Sequence, residues 1–327
     1  MTNVLVLGGT GWLSGRIAVG WMDARASVTC LARGAREAPY GARLVVADRD
    51  APDAYDEVRG RDWDEIVEIS SRPEHVSAAA AALEGHARHL TYISSVSAYA
   101  TNDEPGADES AALAVPAVPG EEDDYSRAKA ACEASVRGAF GTRAAIIRPG
   151  LIVGPGDPTD RFGYWVSRFA LAGSEPVLVP DVPDARSQVI DVDDLADFVV
   201  AVGLERFSGV VNAVGDSLPL ADVLAAARDV AEHSGEVAAA SPEWLEAHQV
   251  DPWMGPRALP LWLPGDMPGF ATRSNAAYRL LGGRLRPLRA TLARTLADET
   301  ERGLDRPRAA GLDRADELAL ISDLRDG

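Results

Sequence analysis

A chain of 327 residues exceeds one average domain but falls short of two large ones, and 46% hydrophobic against 25% charged residues lets it bury a sizeable core. Its 50 acidic residues outweigh 32 basic ones, a net charge of −18 that argues against nucleic acid and anionic membrane surfaces as partners. The plain reading is a solvated acidic surface.

Val4-Leu5-Val6-Leu7 reads as a buried strand, followed by a glycine turn and a helix over 13–23. Strands follow at 27–31, 43–47 and 65–69, then a helical stretch at 78–83 and a fifth strand at 89–93. A helix spans 125–137, and Pro149 ends a sixth strand at 143–147. This alternation predicts an α/β fold, a doubly wound parallel sheet of the Rossmann type. Residues 100–124 form an acidic insertion rich in Pro and Ala, either a solvent loop or a lid. Beyond Gly150 a turn falls at 154–158, helices at 159–172, 191–203 and 220–233, and a short strand at 210–211. Residues 288–302 are amphipathic, and Asp313 is placed to cap a last helix. A smaller, interleaved second domain is expected.

Cys30 and Cys132 lack CxxC or zinc-type spacing and read as reduced and structural. No basic region leads into a long apolar stretch, and the longest apolar runs are too short to span a bilayer, so the cytoplasm is the expected compartment.

Gly8-Gly9-Thr10-Gly11-Trp12-Leu13-Ser14-Gly15 directly follows the first strand and opens a helix. Gly8 suits the tight turn, and Gly11 lets backbone approach a pyrophosphate at the helix N-terminus. In GxxGxxG spacing the third place falls on Ser14, small enough for helix and strand to pack. After the second strand comes Leu31-Ala32-Arg33-Gly34, with no acid to bind ribose hydroxyls. Arg33 could instead pair with a 2′-phosphate, so NADP is favoured, with NAD as the alternative. Asp48, ending the third strand, is placed to meet the adenine edge or to cap a turn.

Tyr125-Ser126-Arg127-Ala128-Lys129 puts a phenol and an ammonium on one face of a helix. A free phenol has a pKa of about 10. A neighbouring cation favours the phenolate and suits it to proton exchange with a substrate oxygen. Upstream, Ile93-Ser94-Ser95-Val96-Ser97-Ala98-Tyr99 ends a strand with several hydroxyls, at the sheet end where ligands of this fold bind.

These features together resemble the short-chain dehydrogenase/reductase superfamily, in particular its extended, epimerase/dehydratase-like branch. Arg148-Pro149-Gly150 with Gly154-Pro155, the run from Gln188 to Ala196, and Ser274-Asn275 with Arg286-Pro287-Leu288 extend the likeness over most of the chain. The resemblance implies that Ser95, four before Tyr99, binds the substrate oxygen and that Tyr125 is the acid/base. Lys129 would hold the nicotinamide ribose and lower the Tyr125 pKa, with Pro149 and Gly150 beside the nicotinamide. Gly8, Thr10, Gly11, Trp12, Leu13, Arg33, Asp48, Ser70 and Ser94 complete the implied cofactor set. Residues 1–148 and 187–213 would bind the dinucleotide, and 149–186 with 214–327 the substrate. The family also implies a homodimer paired through helices around 125–137.

The leading expectation is an NADP-dependent reductase of a carbonyl or imine in a small-molecule substrate. The alternative is a nucleotide-sugar epimerase or dehydratase that uses its cofactor transiently. Related dehydratases carry an Asp-Glu pair after the site hydroxyl where this chain has Val96-Ser97, which disfavours dehydration. Ser187 stands where related sugar enzymes place a diphosphate-gripping Arg, with Arg186 one residue early. A non-catalytic cofactor sensor or an RNA-binding relative fits poorly with the Tyr125/Lys129 pair and the acidic charge. No metal site is expected: His86 and His89 read as surface or capping residues, and Asp191, Asp193 and Asp194 as helix caps. Trp244, Trp253 and Trp262, with Met254 and Phe270, read as core ahead of pocket lining. Glu68 interrupts an apolar strand, either facing the cofactor cleft or marking a register error of one.

Overall fold

The computed structural model describes residues 2–118 and 124–326. In chain order the elements are β1 (Asn3–Leu7), α1 (Trp12–Asp23), β2 (Ser27–Ala32), β3 (Arg43–Val46), β4 (Glu65–Glu68), α2 (Pro73–Leu83) and β5 (Leu90–Ile93). Then come α3 (Tyr125–Phe140), β6 (Ala144–Pro149), β7 (Leu151–Val153), α4 (Arg161–Ala172), β8 (Val177–Pro180), β9 (Arg186–Asp191), α5 (Val192–Glu205) and β10 (Gly209–Ala213). The remainder comprises β11 (Ser217–Pro219), α6 (Leu220–Val230), β12 (Val237–Ala240), α7 (Pro242–Ala247), α8 (Ala276–Leu280), α9 (Leu288–Arg302) and α10 (Arg314–Asp326).

The chain forms two compact units. Unit 1 holds Met1–Leu151, Val192–Gly215 and Arg273–Arg284; unit 2 holds Ile152–Asp191, Asp216–Thr272 and Leu285–Gly327. Four segments lie elsewhere than the sequence division puts them: 187–191 belong to unit 2, and 149–151, 214–215 and Arg273–Arg284 belong to unit 1.

Unit 1 is a seven-stranded sheet in the order β10-β6-β5-β4-β1-β2-β3, parallel throughout. Strand order reverses between β1 and β4, which makes the carboxyl ends of these strands the switch point of a Rossmann-type fold. Val4, Leu5, Val6 and Leu7 are all buried, as a strand covered on both faces requires. Helices α2 and α3 pack together, and so do α1 and α5. Cys132, Val136 and Phe140 of α3 meet Leu5, Ile66 and Leu90 of the sheet in one core.

β4 carries a carboxylate at each end, both buried. The register expected for Glu68 is right, and a partner makes it tolerable: Arg49 grips both of its carboxylate oxygens. At the other end Glu65 accepts from Thr91 and faces His89 Nδ1 at 2.6 Å. His89 is therefore no surface residue. It is almost fully buried, whereas His86 is exposed as expected.

The insertion is tied down through residue 118, and 119–123 lie outside the described residues. Tyr99 and Leu113 form an antiparallel bridge, Ala114 N donates to Ala98 O, Ser274 N to Ala107 O, and Ala117 N to the Arg127 carbonyl in α3.

Unit 2 contains a three-stranded sheet, β11-β9-β7, and a parallel pair, β12-β8. Helices α4, α6 and α9 pack on one another, and α10 lies on β8. Asp313 caps α10 through Asp316 N at 2.7 Å, as expected. Trp262 is buried, but Trp244 and Trp253 are half-buried and Met254 is exposed, so the core reading holds for only one of the three tryptophans. No helix among the described residues is long and apolar enough to cross a membrane, and these residues contain no cluster able to hold a metal ion.

Candidate active site

The glycine turn joins β1 to α1 at the carboxyl end of the sheet. Gly8 has a φ of +88°, a conformation that costs a side chain dearly. A Cβ on Gly9 would meet Cys30 Sγ at 2.4 Å, so backbone packs directly on β2. Ser14 works as more than a small spacer: its hydroxyl donates to Gly8 O at 2.5 Å and accepts from Gly11 N at 2.9 Å, lacing the turn to the helix. Arg33 and Asp48 are exposed just beyond β2 and β3. A left-handed glycine, a turn with three glycines in four residues and the start of a twelve-residue helix together fit a dinucleotide pyrophosphate.

Helix α3 begins at Tyr125, where Asp124 caps it by accepting from Ser126 N and Arg127 N. Tyr125 is 52% exposed, while Lys129, one turn later, is buried. The Lys129 ammonium lies 6.0 Å from the centre of the Tyr125 ring. It donates to Ile93 O at 2.8 Å, to the Tyr92 hydroxyl at 3.1 Å and to Ser70 O at 3.2 Å. Burial pulls the Lys129 pKa down to about 8, against the upward pull of Cys132, Glu68 and Glu133. Ser95, half-buried at the end of β5, caps the short helical turn Val96–Ala98 by accepting from Ser97 N at 3.1 Å. Helix α3 packs against this turn, which brings Ser95, Tyr125 and Lys129 to one end of the sheet.

A buried polar network lies one turn further along α3. Glu133 accepts from Arg148 at 2.7 and 2.8 Å and from the Ser94 hydroxyl at 2.6 Å. Burial alone would raise the Glu133 carboxyl, but Arg148, Ser94 and Arg137 hold it below the usual carboxylate range. The Arg148 and Arg273 guanidinium groups lie 4.6 and 4.1 Å from the Tyr99 ring centre, and the Tyr99 hydroxyl donates to Asn212 at 2.6 Å.

Residues 74–213 match the NAD dependent epimerase/dehydratase family. With the Rossmann-type sheet, the resemblance to the extended short-chain dehydrogenase/reductases stands. Among solved structures the chain is similar to a putative epimerase from Burkholderia cenocepacia, at 21% identity and a TM-score of 0.70 over 90% of this chain and 97% of that one. It is also similar to UDP-glucuronic acid 4-epimerase from Bacillus cereus in complex with NAD, at 15% identity and 0.66 over 92% and 99%. UDP-glucose 4-epimerase from Thermotoga maritima follows at 13% and 0.67 over 92% and 99%. At these identities the likeness is one of fold. No curated protein sequence matches. The expectation of a carbonyl reductase finds no support in these comparisons, which favour the epimerase alternative.

The residues expected from sequence are placed as follows. Gly8, Thr10, Gly11 and Trp12 form the turn and helix start, with Leu13 turned into the core so that only its backbone faces the turn side. Pro149 ends β6, and Gly150 follows it. Ser70 contributes its carbonyl to Lys129 and Tyr92. The Ser94 hydroxyl donates to Glu133 and its N–H to Ile147 O. Sequence reading passed over Tyr92, Glu133 and Arg49. Glu133 was findable, since 125, 129 and 133 recur on one helix face. So was a fact of composition: Lys129 is the only lysine among the 32 basic residues, all others being arginine.

Proposed function

We propose that the protein is a nicotinamide-dependent epimerase that inverts a secondary alcohol of a nucleotide-linked sugar. The observation that carries the chemistry is the exposed Tyr125 phenol one helical turn from the buried Lys129 ammonium. The family match and the epimerases among the solved structures support inversion over net reduction.

The bound dinucleotide would supply reversible two-electron chemistry at its nicotinamide ring. The Gly8–Leu13 turn would hold its pyrophosphate, and Lys129 its ribose. Tyr125 takes the proton from the substrate hydroxyl oxygen and returns it to the same oxygen after the carbon is inverted. Lys129 favours the phenolate by its charge, and the Ser95 hydroxyl, whose oxygen already accepts from Ser97 N, donates to the substrate oxygen. Arg33, exposed past β2, supports a preference for NADP over NAD through its fork of donors.

A panel of nucleotide-linked sugars with NAD or NADP, followed by proton NMR and by absorbance of reduced cofactor, tests this reading. Formation of an epimer without net change in reduced cofactor is expected. Stoichiometric consumption of NADPH on a carbonyl substrate would overturn it in favour of a reductase.

A further inference from the structure

Lys129 reaches three acceptors, and two of them are backbone carbonyls fixed by the fold. Ile93 O is the last carbonyl of β5. Ser70 O is held in place because Ser70 N and Ile69 N both donate to Glu68 Oε1, at 2.7 and 2.8 Å, while Arg49 locks Glu68 and donates to the Tyr55 hydroxyl at 2.9 Å. The third acceptor, the Tyr92 hydroxyl, is the one that side-chain identity controls. Tyr92 is fully buried, and a phenylalanine ring would fill the same core. A buried hydroxyl is costly without partners, so its partners show its use. It donates its proton to Ser70 O at 3.0 Å, which leaves its lone pairs for the Lys129 ammonium and the neighbouring Cys132 thiol. Its ring centre lies 4.9 Å from that ammonium.

We infer that Tyr92 is a positioning residue for the Tyr125–Lys129 pair: its hydroxyl fixes the Lys129 ammonium beside Tyr125 and keeps it charged. The groups facing Lys129 are Tyr125, Cys132 and Glu133 from α3, Glu68 from β4 and Tyr92 from β5. Glu133 is engaged by Arg148 and Glu68 by Arg49, and both carboxylates still favour the charged Lys129. Burial brings the Lys129 pKa down to about 8, so the loss of one acceptor for its protons moves its titration toward the working range. Lysine suits such a place because its compact ammonium titrates readily when buried, whereas a guanidinium does not.

The inference rests on the reading of Lys129 as the partner of Tyr125, but its test needs no turnover. Because Lys129 is the only lysine, carbon-13 lysine labelling gives a single side-chain signal whose pH titration can be followed in the folded protein without cofactor. Tyr92→Phe should lower the titration midpoint by roughly one pH unit, the size expected for losing a hydrogen bond to a charged group. Placing 3-fluorotyrosine at position 92 weakens the acceptor while keeping ring and hydroxyl, and should shift the midpoint the same way by less. Tyr99→Phe removes another buried hydroxyl from unit 1, one bonded to Asn212, and should leave the midpoint unchanged. An unchanged midpoint in Tyr92→Phe, or an equal shift in Tyr99→Phe, would overturn the inference. If Tyr92→Phe does not fold, the fluorotyrosine protein decides alone, an unchanged midpoint there overturning it. Failure of the epimerase assay would leave this outcome untouched.

Discussion

His89 and Glu65 form a buried pair whose geometry sets the charge on the ring. Nδ1 lies 2.6 Å from Glu65 Oε2, and Nε2 lies 2.7 Å from the Phe207 carbonyl. With an acceptor at each nitrogen, both must carry hydrogen, which is the imidazolium form. Burial pulls the His89 pKa down, but Glu65 and the Phe207 carbonyl more than offset it, against a smaller opposing push from Arg206, so the value rises. A raised folded pKa gives stability that is fully present below the unfolded value of about 6.5 and is lost as pH climbs through the folded one. His89→Leu leaves Glu65 buried without a cation and should cost about 3 kcal/mol at pH 6, and less at pH 9. Urea unfolding at both pH values checks this, and equal losses would contradict it.

Glu133 should govern the acid limb of stability. Its depressed pKa means a contribution present above the unfolded value of about 4.3 and lost as pH falls through the folded one. Glu133→Leu leaves Arg148 buried without its counter-ion and should cost about 3–5 kcal/mol at pH 7. The double variant with Arg148→Met should recover part of that loss in the same denaturant assay.

Tyr125→Phe removes the proton carrier from an exposed position, so folding should be untouched. Turnover is expected to fall by about 100-fold or more, the usual scale for a lost acid/base, while the cofactor dissociation constant stays within error. Fluorescence titration alongside kinetics separates the two. A variant of full activity would remove Tyr125 from the chemistry.

Arg33→Ala should weaken NADPH binding by roughly tenfold or more, as loss of a charge-assisted contact does, and leave NADH binding nearly unchanged. Calorimetry with both cofactors measures the ratio. Equal losses for the two would show that Arg33 does not read a 2′-phosphate.

Two glycines in the same motif should respond oppositely. Gly9→Ala drives a methyl into Cys30 and should cost about 1–3 kcal/mol, with impaired cofactor binding. Gly15→Ala places its Cβ 3.9 Å from Gly9 O, an ordinary contact, and should stabilise α1 by about 0.5–1 kcal/mol. Thermal melts of the pair distinguish a turn that needs glycine from a helix that merely contains one.

Much of unit 1 was legible in the sequence because its signals are local. Apolar strands alternate with amphipathic helices, the glycines sit between β1 and α1, and Tyr125 and Lys129 share a helix face. What could not be read depends on partners distant in sequence. His89 looks like a surface residue until parallel pairing of Ile66 with Leu90 sets it beside Glu65. Glu68 looks misplaced until Arg49 is seen to hold it. Tyr92 reads as core in any strand, since nothing local tells where its hydroxyl turns. β7 and β11 are too short to show a period, and the return of Arg273–Arg284 to unit 1 leaves no local mark.

Tyr125 is the first residue of α3, and Lys129 lies a full turn inside it. Helix ends fray before helix interiors do. The first turn carrying the phenol is held by the Asp124 cap and the hydrogen bond from Ala117 to Arg127, whereas the ammonium is bonded to the last carbonyl of β5. On warming, the two halves of the pair should part company in a fixed order. Proton transfer should fail first, while Lys129 still sits where it was, so the protein would pass through a range of temperature in which it holds its cofactor but no longer turns over.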